Sequence, residues 1–197
     1  MPHPAPIDAL CVFCGSSRGA DPRHAGDAAR LGRILAENDV RLVFGGGLNG
    51  LMGVMADAAL DAGGLVTGVI PHHLVNREVA HRGVSELIEV DTMHARKQRM
   101  FELSDAVAVL PGGIGTLDET VEMLSWKQLG LHGKPVVLVD SGGYWRPFAA
   151  LLDAFVENGF ARPAIRELFL SVGDVGDVLP AIATAREAAV PSRPELF

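Results

Sequence analysis

Short apolar strands alternating with amphipathic helices predict an α/β protein: a single Rossmann-like, doubly wound domain with a mainly parallel sheet flanked by helices. Three observations carry that reading. Candidate strands are nearly continuously apolar, as in residues 106–110 (AVAVL), the composition required of strands buried on both faces. The segments between them place apolar residues at helical spacing, as βαβ crossovers demand. Small residues close three of the strands, at Gly15, Gly45 and Pro111, and in such sheets ligands bind beyond the C-terminal strand ends, near the switch in strand order.

Taken in order, residues 1–8 (MPHPAPID) read as a flexible, proline-bearing lead-in, residues 9–189 as the domain, and residues 190–197 as a flexible tail. Residues 9–14 (ALCVFC) are the first strand, followed by the small polar loop Gly15, Ser16, Ser17. A helix over 22–38 repeats Ala25, Ala28, Leu31, Ile34 and Leu35 on one face. Residues 40–44 form a second strand, which opens into Gly45, Gly46 and Gly47 before an alanine-rich helix stopped by Gly63 and Gly64. A third strand over 65–70 ends at Pro71, and a polar connection over 72–83 leads to a short strand at 86–90. A helix over 93–103, the strand at 106–110 and a long helix from Thr116 come next. A strand at 135–140, a helix at 144–158, a strand at 168–172 and a helix at 174–189 complete the pattern.

Composition narrows the function. The 197 residues carry a net charge of −7, which argues against a general binder of nucleic acid or anionic membrane. No window approaches the run of about 20 apolar residues that spans a bilayer, and the start of the chain lacks the basic and apolar regions of a signal peptide. A cytoplasmic protein is expected. Cys11 and Cys14 form a C-x-x-C, but three residues of strand span roughly 10 Å and turn the side chains to opposite faces, too divergent for a disulfide. With no second cysteine pair a zinc site is also disfavoured, so no metal is expected and both cysteines are assigned to the core.

The stretch over 106–130 carries the chemistry. Pro111, Gly112, Gly113, Ile114 and Gly115 separate a buried strand from a helix. Glycines let a ligand approach the main chain, and the unpaired N–H groups and dipole of the helix start favour an anion, most often a phosphate. A turn built only for geometry is the alternative, since Thr116 and Glu119 have the spacing of a capping box. Glu119 then either ties up a backbone N–H or faces a sugar attached to the phosphate, where it could stabilise an oxocarbenium-like centre or orient water. The loops at Gly15–Ser16, Gly45–Gly46 and 111–116 are expected to share one crevice. The G-x-G-x-x-G dinucleotide fingerprint after the first strand is absent, which argues against an NAD enzyme.

One arginine stands where it should not. Met93, Arg96, Met100 and Leu103 share the inward stripe of their helix. A guanidinium enters such a stripe to meet an anion, to pair with a structural carboxylate, or by snorkelling. In the next helix a second apolar stripe, Leu117, Val121, Leu124 and Gln128, lies beside Glu119, Met123 and Trp126. A helix apolar on two sides in a small domain suggests a subunit interface.

The motifs GGGLNGLMG (45–53), MHARK (93–97) and PGGIGTLDE (111–119) together resemble the LOG (Lonely Guy) family of cytokinin riboside 5′-monophosphate phosphoribohydrolases, often mislabelled as lysine decarboxylases. The resemblance extends from the first strand to about Gly159. It implies a Rossmann-like homodimer, or a higher oligomer, that hydrolyses the N-glycosidic bond of a nucleoside 5′-monophosphate without metal or cofactor, releasing the base and ribose 5-phosphate. It further implies Arg96 and Glu119 as the catalytic pair. Lys97, Gly112, Gly113, Ile114, Gly115, Thr116, Leu117 and Asp118 would hold substrate, with Glu78 as a further contact. Ser125 stands where plant members carry threonine, and Ile114 replaces their tyrosine, which bears on pocket shape. AMP nucleosidase activity, or a non-catalytic carrier of a nucleotide or molybdenum cofactor, are the alternatives. A decarboxylase using pyridoxal would need an active-site lysine, and neither Lys97, Lys127 nor Lys134 has that setting.

Overall fold

A computed structural model describes residues 7–75 and 79–187. Its frame is strand β1 (Ala9–Phe13), buried along its whole length. It pairs in parallel with β2 (Arg41–Phe44) on one side and β5 (Ala106–Val109) on the other. Beyond β2 lie β3 (Val66–Pro71) and β4 (Glu86–Val90), and beyond β5 lie β6 (Val136–Val139) and β7 (Leu170–Val172). The strand order is β4-β3-β2-β1-β5-β6-β7, and every neighbouring pair is parallel. The chain reverses direction across the sheet at β1, so the crevice of the fold opens beyond Phe13, between the exits of β2 and β5.

Parallel strands need crossovers, and their alternating side chains sort these into two layers. Leu10 and Val12 face helices α1 (Pro22–Glu37), α2 (Gly50–Asp61) and α6 (Val178–Glu187). Ala9, Cys11 and Phe13 face α3 (Met93–Glu102), α4 (Ile114–Gln128) and α5 (Arg146–Glu157). In the first layer Leu31 and Leu35 of α1 are fully buried, each contributing about 1.5–3 kcal/mol. Asp21 caps that helix, accepting from Arg23 N–H at 2.9 Å, and Pro22 opens it. Cys11 and Cys14 are free and buried in opposite layers, the divergence expected of a strand.

The element ends depart from the sequence reading where turns intervene. Helix α4 begins at Ile114 with Gly113 as its N-cap, two residues before Thr116. The capping box is therefore not formed, because Gly113 in extended conformation already turns the chain and Leu117 N–H bonds its carbonyl at 3.0 Å. Helix α5 starts after a 3₁₀ turn at Ser141–Gly143, stabilised by Trp145 N–H donating to Asp140 at 2.6 Å. A 3₁₀ helix over Pro163–Leu168 was not anticipated, and a short one at Val175–Asp177 precedes α6. Of the lead-in expected over 1–8, residues 1–6 lie outside the described residues, as do the last residues of the final helix and the tail over 190–197. Ile7 packs against the core and Asp8 N–H donates to Asp105 at 2.8 Å, so the ordered chain begins earlier than expected. Among the described residues no helix is long and apolar enough to cross a membrane.

Candidate active site

The loops leaving β1 and β5 and the start of α2, which follows β2, meet at one residue. Gly15 N–H donates to Pro111 O at 3.0 Å, and Gly15 O accepts from Leu51 N–H, also at 3.0 Å. A Cβ on Gly112 would sit 2.1 Å from Thr116 Oγ1 and 2.8 Å from Gly15 N, so only glycine permits this closeness. Tyr144 adds an outer tie, its hydroxyl donating to Gly112 O at 2.5 Å.

Beside this junction lies a cleft of about 310 Å³. Cys14 and Ser16 follow β1, Gly45 follows β2, and Gly113, Ile114, Gly115, Thr116, Asp118 and Glu119 come from the start of α4. Met52, Met93 and Met100, with Val12 and Phe13, form its apolar wall. Cβ atoms on Gly113 or Gly115 would meet nothing within 4 Å. That leaves the first N–H groups of α4, which have no intrahelical acceptor, fronted by open space suited to an anion.

Arg96 and Glu119 line the same cleft and are buried, at 4% and 9% exposure. Arg96 reaches across two strand ends: Nη2 donates to Gly45 O at 2.7 Å and Nε to Val69 O at 3.2 Å. A Cβ on Gly45 would fall 2.0 Å from Nη2, so the arginine lies directly on the glycine backbone. The cation in an apolar stripe is thus oriented in part by the carbonyls of Gly45 and Val69. Glu119 stands in the second turn of α4 because the helix starts early, which takes it off the terminus and onto the cleft wall. Burial, and after it the Glu119 carboxylate, pushes the Cys14 thiol far above its ordinary range, with the Arg96 cation opposing.

Other predicted site residues are placed elsewhere. Lys97 bridges α3 to α4, its Nζ 3.0 Å from Asp118 and 2.6 Å from Glu122. Those two carboxylates oppose its desolvation and raise its pKa. Gly46 sits behind the cleft against β3, its carbonyl accepting from His81 N–H at 2.8 Å. Gly15 and Gly112 build the junction rather than the wall. Leu117 and Ser125 lie on another face of α4, in an apolar groove of about 460 Å³ that Val121, Leu151, Phe155 and Phe160 also line. Glu78 lies outside the described residues. The sequence reading did not single out Met52 or Tyr144; Met52 stood inside a quoted motif, but Tyr144 carried no local signal.

Lys134 donates to Phe101 O and Ser104 O, both at 2.6 Å, closing the far end of α3. Among the described residues no lysine lines the cleft, and the residues there do not fit a pyridoxal Schiff base. Among the described residues no group of three or more His, Cys, Asp or Glu side chains could hold a metal.

An all-parallel sheet, right-sized crossovers and a glycine-walled crevice at the strand switch define the class: a Rossmann-like α/β protein. A family pattern described as "Possible lysine decarboxylase" matches residues 52–182. The chain is 43% identical over 174 residues to a cytokinin riboside 5′-monophosphate phosphoribohydrolase of Rhodococcoides fascians, covering 88% of each chain. It is 44% identical over 162 residues to one from Arabidopsis thaliana, covering 82% of this chain and 75% of that one. The chain belongs to this family, the LOG family. A molybdenum cofactor carrier protein from Chlamydomonas reinhardtii shares the fold, with a TM-score of 0.66 at 22% identity over 91% of this chain and 98% of that one.

Proposed function

We propose that the protein is a phosphoribohydrolase that cleaves the N-glycosidic bond of cytokinin riboside 5′-monophosphates, giving the free base and ribose 5-phosphate. The observation that carries the reading is the pairing of a buried Arg96 and a buried Glu119 in one cleft with an uncapped, glycine-fronted helix start. The 5′-phosphate rests on the first N–H groups of α4, which fixes the ribose beside Glu119. As the C1′–N bond breaks, its electrons leave with the base, which takes up a proton, and positive charge develops at C1′. The Glu119 carboxylate stabilises that charge or guides the water whose oxygen bonds to C1′. Arg96 anchors and polarises the reacting complex. The base lies against the thioethers of Met52, Met93 and Met100, soft groups that adapt to a substituted purine.

A carrier would need the cradle without the charged pair, and the likeness to the molybdenum cofactor carrier is one of fold. The working unit is a homodimer that covers the groove over α4 and α5, where Val121, Leu151, Phe155 and Phe160 are exposed.

The test is chromatographic: N6-isopentenyladenosine 5′-monophosphate, AMP and the unphosphorylated riboside are offered in parallel to purified protein. Base released from the monophosphates and not from the riboside supports the reading, and the ratio of the two rates names the preferred base. Nucleotide binding with no base release from any of the three sinks it in favour of the carrier.

A further inference from the structure

His81 is a buried side chain that the reaction does not use. It is 6% exposed, and both ring nitrogens are engaged: Nε2 lies 2.9 Å from Asp57 Oδ1 on α2, and Nδ1 accepts from Gly83 N–H at 3.3 Å. A backbone N–H can only donate, so the ring proton sits on Nε2 and faces the carboxylate. The main chain of the same residue reaches the other way. His81 N–H donates to Gly46 O at 2.8 Å, Leu48 N–H donates to Val79 O at 2.9 Å, and Gly47 forms an antiparallel bridge with Ala80.

Residues 79–81 thus clasp the 46–48 loop, whose preceding residue, Gly45, supplies the carbonyl that holds Arg96 Nη2. The clasp is not relaxed. Val79 has φ of 51°, a left-handed conformation that a β-branched residue keeps only where its surroundings dictate it. A strained segment pressed onto the arginine's support needs an anchor, and the Asp57–His81 contact is the side-chain link from that segment to a helix.

We propose that His81 is a positioning residue for Arg96: tethered to Asp57, it fixes the Gly46–Gly47 peptide next to the Gly45 carbonyl and so sets where the guanidinium sits in the cleft. The proposal rests on Arg96 having the role in base release assigned above.

Its test uses the full chain labelled with ¹⁵N, the variants His81→Ala, His81→Gln, Asp57→Ala and the Asp57/His81 double alanine, and two readouts. One is turnover of N6-isopentenyladenosine 5′-monophosphate. The other is the Arg96 Nε–H resonance, assigned by its loss in Arg96→Lys and held in place by the bond to Val69 O. Each single alanine is expected to lower kcat about tenfold with KM within about twofold, since sub-ångström to ångström displacements of a working group carry penalties of that order. The double alanine falls no further than the worse single, because one contact is lost in all three. His81→Gln, whose amide can still donate to Asp57, recovers kcat to within about threefold. The Arg96 resonance shifts or broadens in the alanine variants and returns in the glutamine variant. An unchanged Arg96 resonance in His81→Ala, or additive losses in the double variant, overturns the proposal. Asp57 is largely exposed, so Asp57→Ala serves if His81→Ala does not fold. If the unaltered protein turns over no nucleotide, the functional reading fails while the Arg96 resonance still decides the positioning.

Discussion

Replacing Gly45 by alanine tests the arrangement at its tightest point. The added methyl would lie 2.0 Å from Arg96 Nη2, 2.9 Å from Cζ and 3.2 Å from Met52 Sδ. Ordinary contact begins near 3.4 Å, so the guanidinium must retreat by about 1.4 Å or the loop must shift by as much. Retreat breaks the 2.7 Å bond to Gly45 O, a charged hydrogen bond contributing about 1.5–3 kcal/mol. Crowding adds about 1–3 kcal/mol. A loss of about 2.5–6 kcal/mol is expected, lowering Tm by about 5–24 °C in a chain of this size while leaving it folded below that midpoint. Turnover should fall about a hundredfold, the penalty for moving a positioned group by about 1 Å, with KM changing far less. The assay is base release from N6-isopentenyladenosine 5′-monophosphate beside a thermal melt. Gly26→Ala is the control, since its Cβ meets nothing within 4 Å at an exposed position of α1; it should leave the rate alone and raise stability by about 0.5–1 kcal/mol. Wild-type turnover in Gly45→Ala would show that the guanidinium position does not matter to the reaction.

Glu119→Gln and Arg96→Ala should each bind nucleotide, seen by calorimetry, yet lose about 10²–10³ in kcat; near-normal rates in both would dismiss the pair. Burial, then the nearby Lys127 and Lys134 cations, hold His132 below its ordinary pKa against the opposing bond to Met123 O. The folded state therefore resists a proton that the unfolded chain takes up near pH 6.5, so stability declines as pH falls through that value toward the folded pKa; His132→Asn should flatten this part of a Tm-against-pH curve. The raised thiols of Cys11 and Cys14 predict negligible alkylation by iodoacetamide in the native protein at pH 8 and modification of both in denaturant, although Cys14 borders the cleft; rapid native labelling of Cys14 would contradict its burial.

What the sequence made legible and what it hid have physical reasons. Strands such as Ala106–Val109 and Val136–Val139 declare themselves because burial on both faces leaves no room for polar residues. Arg96 was visible as an exception to its own helical stripe, and the structure shows two of its partners to be the carbonyls of Gly45 and Val69, far away in sequence. Helix starts were less legible. Thr116 and Glu119 imitate a capping box, but an extended glycine ahead of them started α4 earlier and turned Glu119 onto the cleft wall. Tertiary ties such as Tyr144 to Gly112 or His81 to Asp57 leave no periodic trace, since their partners are 32 and 24 residues apart. The second apolar stripe of α4, by contrast, was plain in the sequence and lines the groove where a second subunit is proposed.

Gly15, bonded through its N–H to Pro111 and through its carbonyl to Leu51, makes the crevice a single mechanical part. None of the three loops can open alone without breaking a bond that belongs to another, so their amides should exchange with solvent as one cooperative unit. On the proposed reading, a nucleotide arriving there would meet segments already tied to one another. Little ordering entropy is then lost on binding, and more of the interaction with the phosphate is left over to strain and polarise the bond that is to break.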